Sequence, residues 1–131
     1  MRPLLDTHIW LWSRLEPAHL SRRLSRALED EANELWLSAL SVWETLLFDE
    51  KGRISLAPTA PEWVAIALSN APMREAPVTL DVVLATKQIH LPHRDLVDLF
   101  LAARARVFDV ALVTADKRLL QGTGFASLPN R

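Results

Sequence analysis

Four carboxylates stand beside or inside apolar stretches of the sequence. Asp6 directly follows the apolar run Pro3-Leu4-Leu5, and Asp116 closely follows Ala111-Leu112-Val113, so two stretches with the composition of buried strands run into acids. Wound at about 100° per residue, the helix that begins at Ser38 puts Leu40, Trp43 and Leu47 on one arc, and Glu44 falls inside that arc between Leu40 and Phe48. Asp98 lies in the first turn of HRDLVDLFLAARARV, a helix that is apolar nearly all round except for Asp98, Arg104 and Arg106. Asp95 is the natural cap of that helix, which leaves Asp98 to be carried inward with it.

Each acid taken singly has a structural use, as a turn or cap residue for Asp6 and Asp116, a flank residue for Glu44, and a helix-start charge for Asp98. Brought together they are costly. Two carboxylates about 5 Å apart repel by roughly 3 kcal/mol at an effective dielectric of about 20, so a cluster of four must share protons or bind a cation. All-oxygen ligation suits Mg²⁺ or Mn²⁺. Such an ion neutralises a phosphate oxygen and activates water for in-line attack, which is the chemistry of phosphodiester hydrolysis.

The elements that must position these acids alternate between strand and helix. Strands are expected at Pro3 to Leu5, Leu35 to Leu37, Ala76 to Thr79 and Val110 to Thr114, with an edge strand around Phe125 to Leu128. Helices are expected at His8 to Leu15, from a Ser21 cap to about Glu31, from Ser38 to about Glu50, over residues 61 to 71, over Leu80 to Lys87 behind a Thr79 cap, from the Asp95 cap to Val107, and near residues 116 to 121. Leu24, Ala27 and Leu28 face inward on the second helix, and Trp63, Ile66 and Ala67 on the fourth. This alternation implies βαβ units and an α/β/α sandwich, with helices on both faces of a mainly parallel sheet of four to five strands. Ligands of such sheets bind beyond the carboxyl ends of strands where the strand order reverses, and Asp6 and Asp116 belong there.

Composition narrows the function further. The chain has 131 residues, suits a single domain over residues 1 to 131, and half of it is apolar without any run near the ~18 residues that cross a bilayer. The N-terminus runs straight into a strand instead of a charged-then-apolar leader, so a soluble cytoplasmic protein without a membrane partner is expected. The absence of cysteine excludes disulfides, thiolate metal sites and cysteine nucleophiles. A net charge of −1, from 15 basic and 16 acidic residues, means that any nucleic acid is bound locally and not by a global positive field. Arg22, Arg23 and Arg26 read as a solvated helix face.

The order LLDT, then SVWE on the third main helix, then HRDLVDLFLAARA, then LVTAD resembles the PIN-domain ribonucleases, above all the VapC-type toxins of bacterial toxin–antitoxin pairs. The likeness covers essentially the whole chain. Carried over motif by motif, it makes Asp6, Glu44, Asp98 and Asp116 the metal-site and catalytic acids and Thr114 the hydroxyl next to the last of them, a candidate substrate contact. It implies Mg²⁺- or Mn²⁺-dependent cleavage of single-stranded RNA, frequent homodimers, and inhibition by a partner antitoxin protein. Members often carry proline after the cap acid and arginine after the catalytic acid of the long helix, whereas this chain has Leu96 and Leu99.

Around these acids, Arg94 and Lys117, with Lys51 and Arg118, lie near the expected ends of site-facing elements and are candidates for holding phosphates. His90 and His93, in a loop where histidine is more often a surface or capping residue, are candidates as ligands, as bases or for substrate contact, and His8 after the Asp6 turn is a candidate of the same kind. Trp10, Trp12, Trp36, Trp43 and Trp63 read mostly as core, with Trp10 or Trp12 as interface candidates. Two other functions compete: an aspartyl phosphatase with Asp6 as nucleophile, which would want an acid where His8 stands, and a non-catalytic RNA- or protein-binding module of the same fold.

Overall fold

A computed structural model describes all 131 residues. The chain runs β1 (Pro3–Leu5), α1 (Thr7–Leu15), α2 (Arg22–Glu29), β2 (Trp36–Leu37), α3 (Ala39–Glu50), α4 (Ala60–Asn70), β3 (Arg74–Glu75), α5 (Leu80–Ala85), α6 (Leu96–Val107), β4 (Ala111–Thr114), α7 (Lys117–Leu120) and β5 (Ser127–Pro129), with single 3₁₀ turns at Pro17–His19 and Thr86–Gln88. All five strands are parallel, in the order β3-β2-β1-β4-β5. No helix is long and apolar enough to cross a membrane.

Alternation along the short strands builds two cores, since successive side chains leave a sheet on opposite faces. Leu5, Leu37 and Val113 join Ile9, Trp10, Leu11, Leu24 and Val64 beneath α1, α2 and α4. Their neighbours Leu4, Trp36 and Leu112 join Leu101, Ala105 and Leu119 on the side of α6 and α7. The sheet is therefore covered on both sides, which is why its strands read as continuous apolar runs. The first three strands step outward in one direction, and the chain then crosses over through α5 and α6 to lay β4 against the free edge of β1, with Leu5 opposite Val113. Strand order reverses between β1 and β4.

Local chemistry sets the helix starts. Asp6, Ser21, Ser38, Thr59, Thr79, Asp95 and Asp116 are all N-caps whose side chains accept a backbone N–H of the first turn. The cap expected at Asp95 is present, with the N–H of Asp98 donating to it at 3.0 Å.

Three expectations need correction, and one burial was not foreseen. The third strand lies at Arg74–Glu75, not at Ala76 to Thr79, because Pro77 has no N–H to give a ladder; both strand residues are exposed on the sheet edge, and only Ala76 continues the pairing, to the Leu37 carbonyl at 3.0 Å. On α3 the buried arc is centred on Ser41 and Thr45, which leaves Trp43 on the opposite side and 50% exposed. Glu44 flanks that polar arc, not the one through Leu40, Trp43 and Leu47. Ile66 is likewise outside, 52% exposed, while Val64 and Ala67 carry the contact of α4. Arg104 is fully buried in the apolar stretch of α6 and its Nε and Nη1 find no acceptor, so burial lowers its pKa against the pull of the Glu75 charge.

Candidate metal centre

The reversal point between β1 and β4 brings the first and last acids to one place. Asp6 ends β1 and caps α1, so its backbone is fixed twice, by its own N–H donating to the Val113 carbonyl at 3.0 Å and by the N–H of Thr7 donating to its Oδ1 at 2.8 Å. Its other oxygen accepts the Thr114 hydroxyl at 2.7 Å. That hydroxyl in turn accepts the N–H of Asp116 at 3.0 Å. Thr114, a candidate substrate contact on sequence grounds, is completely buried; its place in the structure is that of a clamp between the two strand-end acids.

Glu44 reaches the same edge from α3. The Thr7 hydroxyl donates to its Oε1 at 2.6 Å, so one residue of α1 touches both Asp6 and Glu44. Sequence reasoning noted Thr7 beside Asp6 and gave it no role; a hydroxyl directly after a strand-end acid was the available signal. Asp98 comes from the first turn of α6, where its Oδ2 meets His93 Nε2 at 2.7 Å. Asp116 caps α7 and is tied to Arg118, whose backbone N–H donates to Oδ1 at 2.8 Å and whose guanidinium donates to Oδ1 at 3.3 Å and to Oδ2 at 3.1 Å.

The electrostatics follow from this packing. Burial pushes Asp6 above the usual carboxylate range, although the hydrogen bonds from Thr114 and Thr7 pull it back. Glu44 is raised by burial and then by the charges of Asp6, Asp98 and Asp95, and Asp98 by burial and then by Asp95 and Asp6, with the Thr7 and His93 bonds opposing. Asp116 goes the other way, held low by Arg118. Three acids that are costly to ionise and feel one another's charge form one cluster, and Asp116 joins it through a charge term on Asp6.

Ligand atoms of His93, Asp98 and Asp116 all lie within 4.8 Å of one another, so this acidic and imidazole group is able to hold a metal ion. Among the other candidates, Arg94 and Lys117 are exposed at the rim, next in sequence to His93 and Asp116. Lys51 does not belong with them: α3 leaves the sheet edge at Ser38, and Lys51 caps its far end, roughly 10 Å beyond Glu44 along the axis. His8 packs against Trp12 and Phe48, and His90 pairs through its backbone with Thr123.

Comparison with known proteins identifies the family. The sequence pattern of the PIN domain matches residues 4–124. Ribonuclease VapC22 of Mycobacterium tuberculosis is 34% identical over 119 residues, covering 88% of each chain. Among solved structures, a chain of VapBC2 from Rickettsia felis bound to a DNA fragment from its promoter superposes with a TM-score of 0.73 at 15% identity, and a chain of DNA-bound VapBC from Salmonella typhimurium with 0.69 at 14%, each covering 98% of both chains. At those identities the structural likeness speaks for the fold, and the sequence matches speak for the family. With a family match over residues 4–124 and a relative 34% identical over 88% of each chain, the chain belongs to the PIN-domain family and, within it, to the VapC-type proteins.

Proposed function

We propose that the chain is a Mg²⁺- or Mn²⁺-dependent endoribonuclease that hydrolyses phosphodiester bonds in single-stranded RNA and serves as the toxin of a toxin–antitoxin pair. The observation that carries this reading is the gathering of Asp6, Glu44, Asp98 and Asp116 at the strand-order reversal, three of them with carboxyls raised by burial. The donor set fits a hard divalent ion, because it is dominated by carboxylate oxygens whose mutual repulsion only a cation or protons relieve. Asp6, Glu44, Asp98 and Asp116 would hold the ion, which supplies charge neutralisation at the phosphate and activation of the attacking water.

The remaining roles fall to the chain itself. Thr114 and Thr7 orient Asp6 and Glu44 through short hydrogen bonds, so these carboxylates enter the reaction already placed. Arg94 and Lys117, exposed at the rim, position backbone phosphates, and Arg118 exchanges its bonds to Asp116 for contact with incoming RNA. The neighbours solved as VapBC complexes support an antitoxin as the inhibiting partner. Exposed Leu80, Val83 and Leu84 on α5, together with Leu96, give a second copy an apolar surface and support a homodimer.

Cleavage of a labelled single-stranded RNA by the purified protein tests the reading. Activity is expected with Mg²⁺ or Mn²⁺, none in chelator, and none from Asp6→Asn. A protein that binds RNA, folds normally and leaves it intact with either ion is the non-catalytic module instead, an outcome to which Leu96 and Leu99 in place of the family's proline and arginine give weight.

A further inference from the structure

Within this metal-dependent reading, one side chain of the cluster is of a different kind. We infer that His93 is a nitrogen ligand of the ion, which makes the Asp98 and Asp116 side of the centre a mixed nitrogen–oxygen site that prefers Mn²⁺ to Mg²⁺. The inference deepens the reading above and stands on the geometry around one imidazole.

His93 precedes the Asp95 cap in a segment whose other members face outward, since Pro92, Arg94 and Asp95 are all exposed. Its own side chain is only 9% exposed and is turned onto Asp98, with Nε2 at 2.7 Å from Oδ2. Ligand atoms of one ion at about 2.1 Å from it are separated by roughly 3 to 4.2 Å, depending on whether they are adjacent or opposite. The mutual spacing of His93, Asp98 and Asp116, within 4.8 Å, needs only small side-chain rotations to close on such an ion.

The other ring nitrogen, Nδ1, is buried and has no hydrogen-bond partner. A buried ring nitrogen without a partner is uncommon, and it leaves Nε2, the nitrogen that faces Asp98, as the only anchored polar atom of the ring. Nothing but the Asp98 oxygen holds the ring's polar edge, so an ion taking up both groups breaks a single bond and makes two. Arg118 is the competing cation at Asp116, and it is exposed enough to swing away.

The two halves of the cluster therefore differ in chemistry. Asp6 and Glu44 are backed by the hydroxyls of Thr114 and Thr7, an all-oxygen environment, whereas Asp98 is backed by imidazole. Imidazole suits transition ions, and Mg²⁺ keeps to oxygen. A histidine that only orients Asp98 through its hydrogen bond would favour both ions alike.

Pulsed EPR of the full-length protein with one equivalent of Mn²⁺, in a buffer free of nitrogen ligands, decides between these. Imidazole ¹⁴N modulation is expected in the wild type, unchanged in His8→Gln and lost in His93→Gln. Calorimetry beside it should show Mn²⁺ binding weakened about 10-fold or more by His93→Gln, on the scale of losing a group of the coordination sphere, and Mg²⁺ binding changed by much less. Bound Mn²⁺ without ¹⁴N modulation in the wild type overturns the assignment whatever the variant does, as does equal weakening of both ions, which means that His93 only positions Asp98. If no divalent ion binds at all, the metal-dependent reading fails with it, and the absence of any Mn²⁺ spectral change distinguishes that case.

Discussion

The Thr114 hydroxyl is the joint of the site, and replacing it by a methyl tests that role with little change of shape. In Thr114→Val, Asp6 Oδ2 loses a 2.7 Å donor and the N–H of Asp116 loses a 3.0 Å acceptor, in a place where Thr114 is completely buried and Asp6 is 8% exposed. A hydrogen bond to a charged group contributes about 1.5–3 kcal/mol and a neutral one about 0.5–1.5, so the ion-free protein should lose about 2–4 kcal/mol at neutral pH. Thr114→Ser keeps both bonds and loses one buried methyl, worth about 1 kcal/mol. Urea denaturation of the three proteins in chelator measures the difference. Because a protonated Asp6 no longer needs the donor, the Val deficit should narrow as the pH is lowered through the raised Asp6 titration. A Val variant no less stable than the Ser variant, with no narrowing, would refute the claim that this hydroxyl holds the two strand ends together.

Three further outcomes follow from the same geometry. Asp6, Glu44 and Asp98 have folded-state carboxyls raised above their unfolded values, so their contribution is most favourable below the ordinary carboxylate range and is lost as pH rises through the raised values, while the favourable Asp116 contribution is lost only as pH falls through its depressed value; stability in chelator, measured by chemical denaturation against an Asp6→Asn, Glu44→Gln, Asp98→Asn reference, should therefore fall as pH rises above the ordinary carboxylate range. Asp98→Asn removes one charge from that cluster and should leave the chelated protein at least as stable as wild type while lowering RNA cleavage by orders of magnitude; a loss of roughly 0.3–1 kcal/mol with full activity would mean that Asp98 is a helix-start charge and nothing more. Trp43→Ser should change stability by less than about 0.5 kcal/mol, whereas Trp10→Ala, which empties a fully buried site packed edge-on against Trp63 at 5.6 Å, should cost about 3–5 kcal/mol by the same denaturation assay.

Much of this architecture is written in local signals. Pro3-Leu4-Leu5 and Leu112-Val113 are legible as strands because both sheet faces are covered, and the caps at Ser38, Asp95 and Asp116 are legible because short polar side chains before apolar runs have few other uses. The same logic brought out the four acids, since a carboxylate in an apolar pattern is informative wherever it stands. What escaped depends on which neighbour an element meets. Trp43 and Ile66 lie outside because α3 turns the small polar face of Ser41 and Thr45 inward, a choice made by the close packing of α1 and α4 and invisible in hydropathy. Arg104 stands out in the sequence only as a break in the apolar run of α6, and the flanking alanines of that helix let it pack so closely that the guanidinium is covered. His93 and Thr7 were in view as residues, but their partners are other side chains, Asp98 and Glu44, and no periodicity encodes such a meeting.

The central place of β1 has a consequence for how the protein is made. Asp6 leaves the ribosome long before its partner, because the hydroxyl that completes its environment comes 108 positions later, on a strand that β1 must wait for with one edge open. At roughly 5–20 residues per second, that interval is on the order of 5–20 s of translation. Throughout it the growing chain holds Asp6 and Glu44 without Thr114 or Asp116. On the reading proposed above, the four acids of a chain built in this order come together only after translation has passed Ala111–Thr114, and a chain broken off before that strand should not cleave RNA.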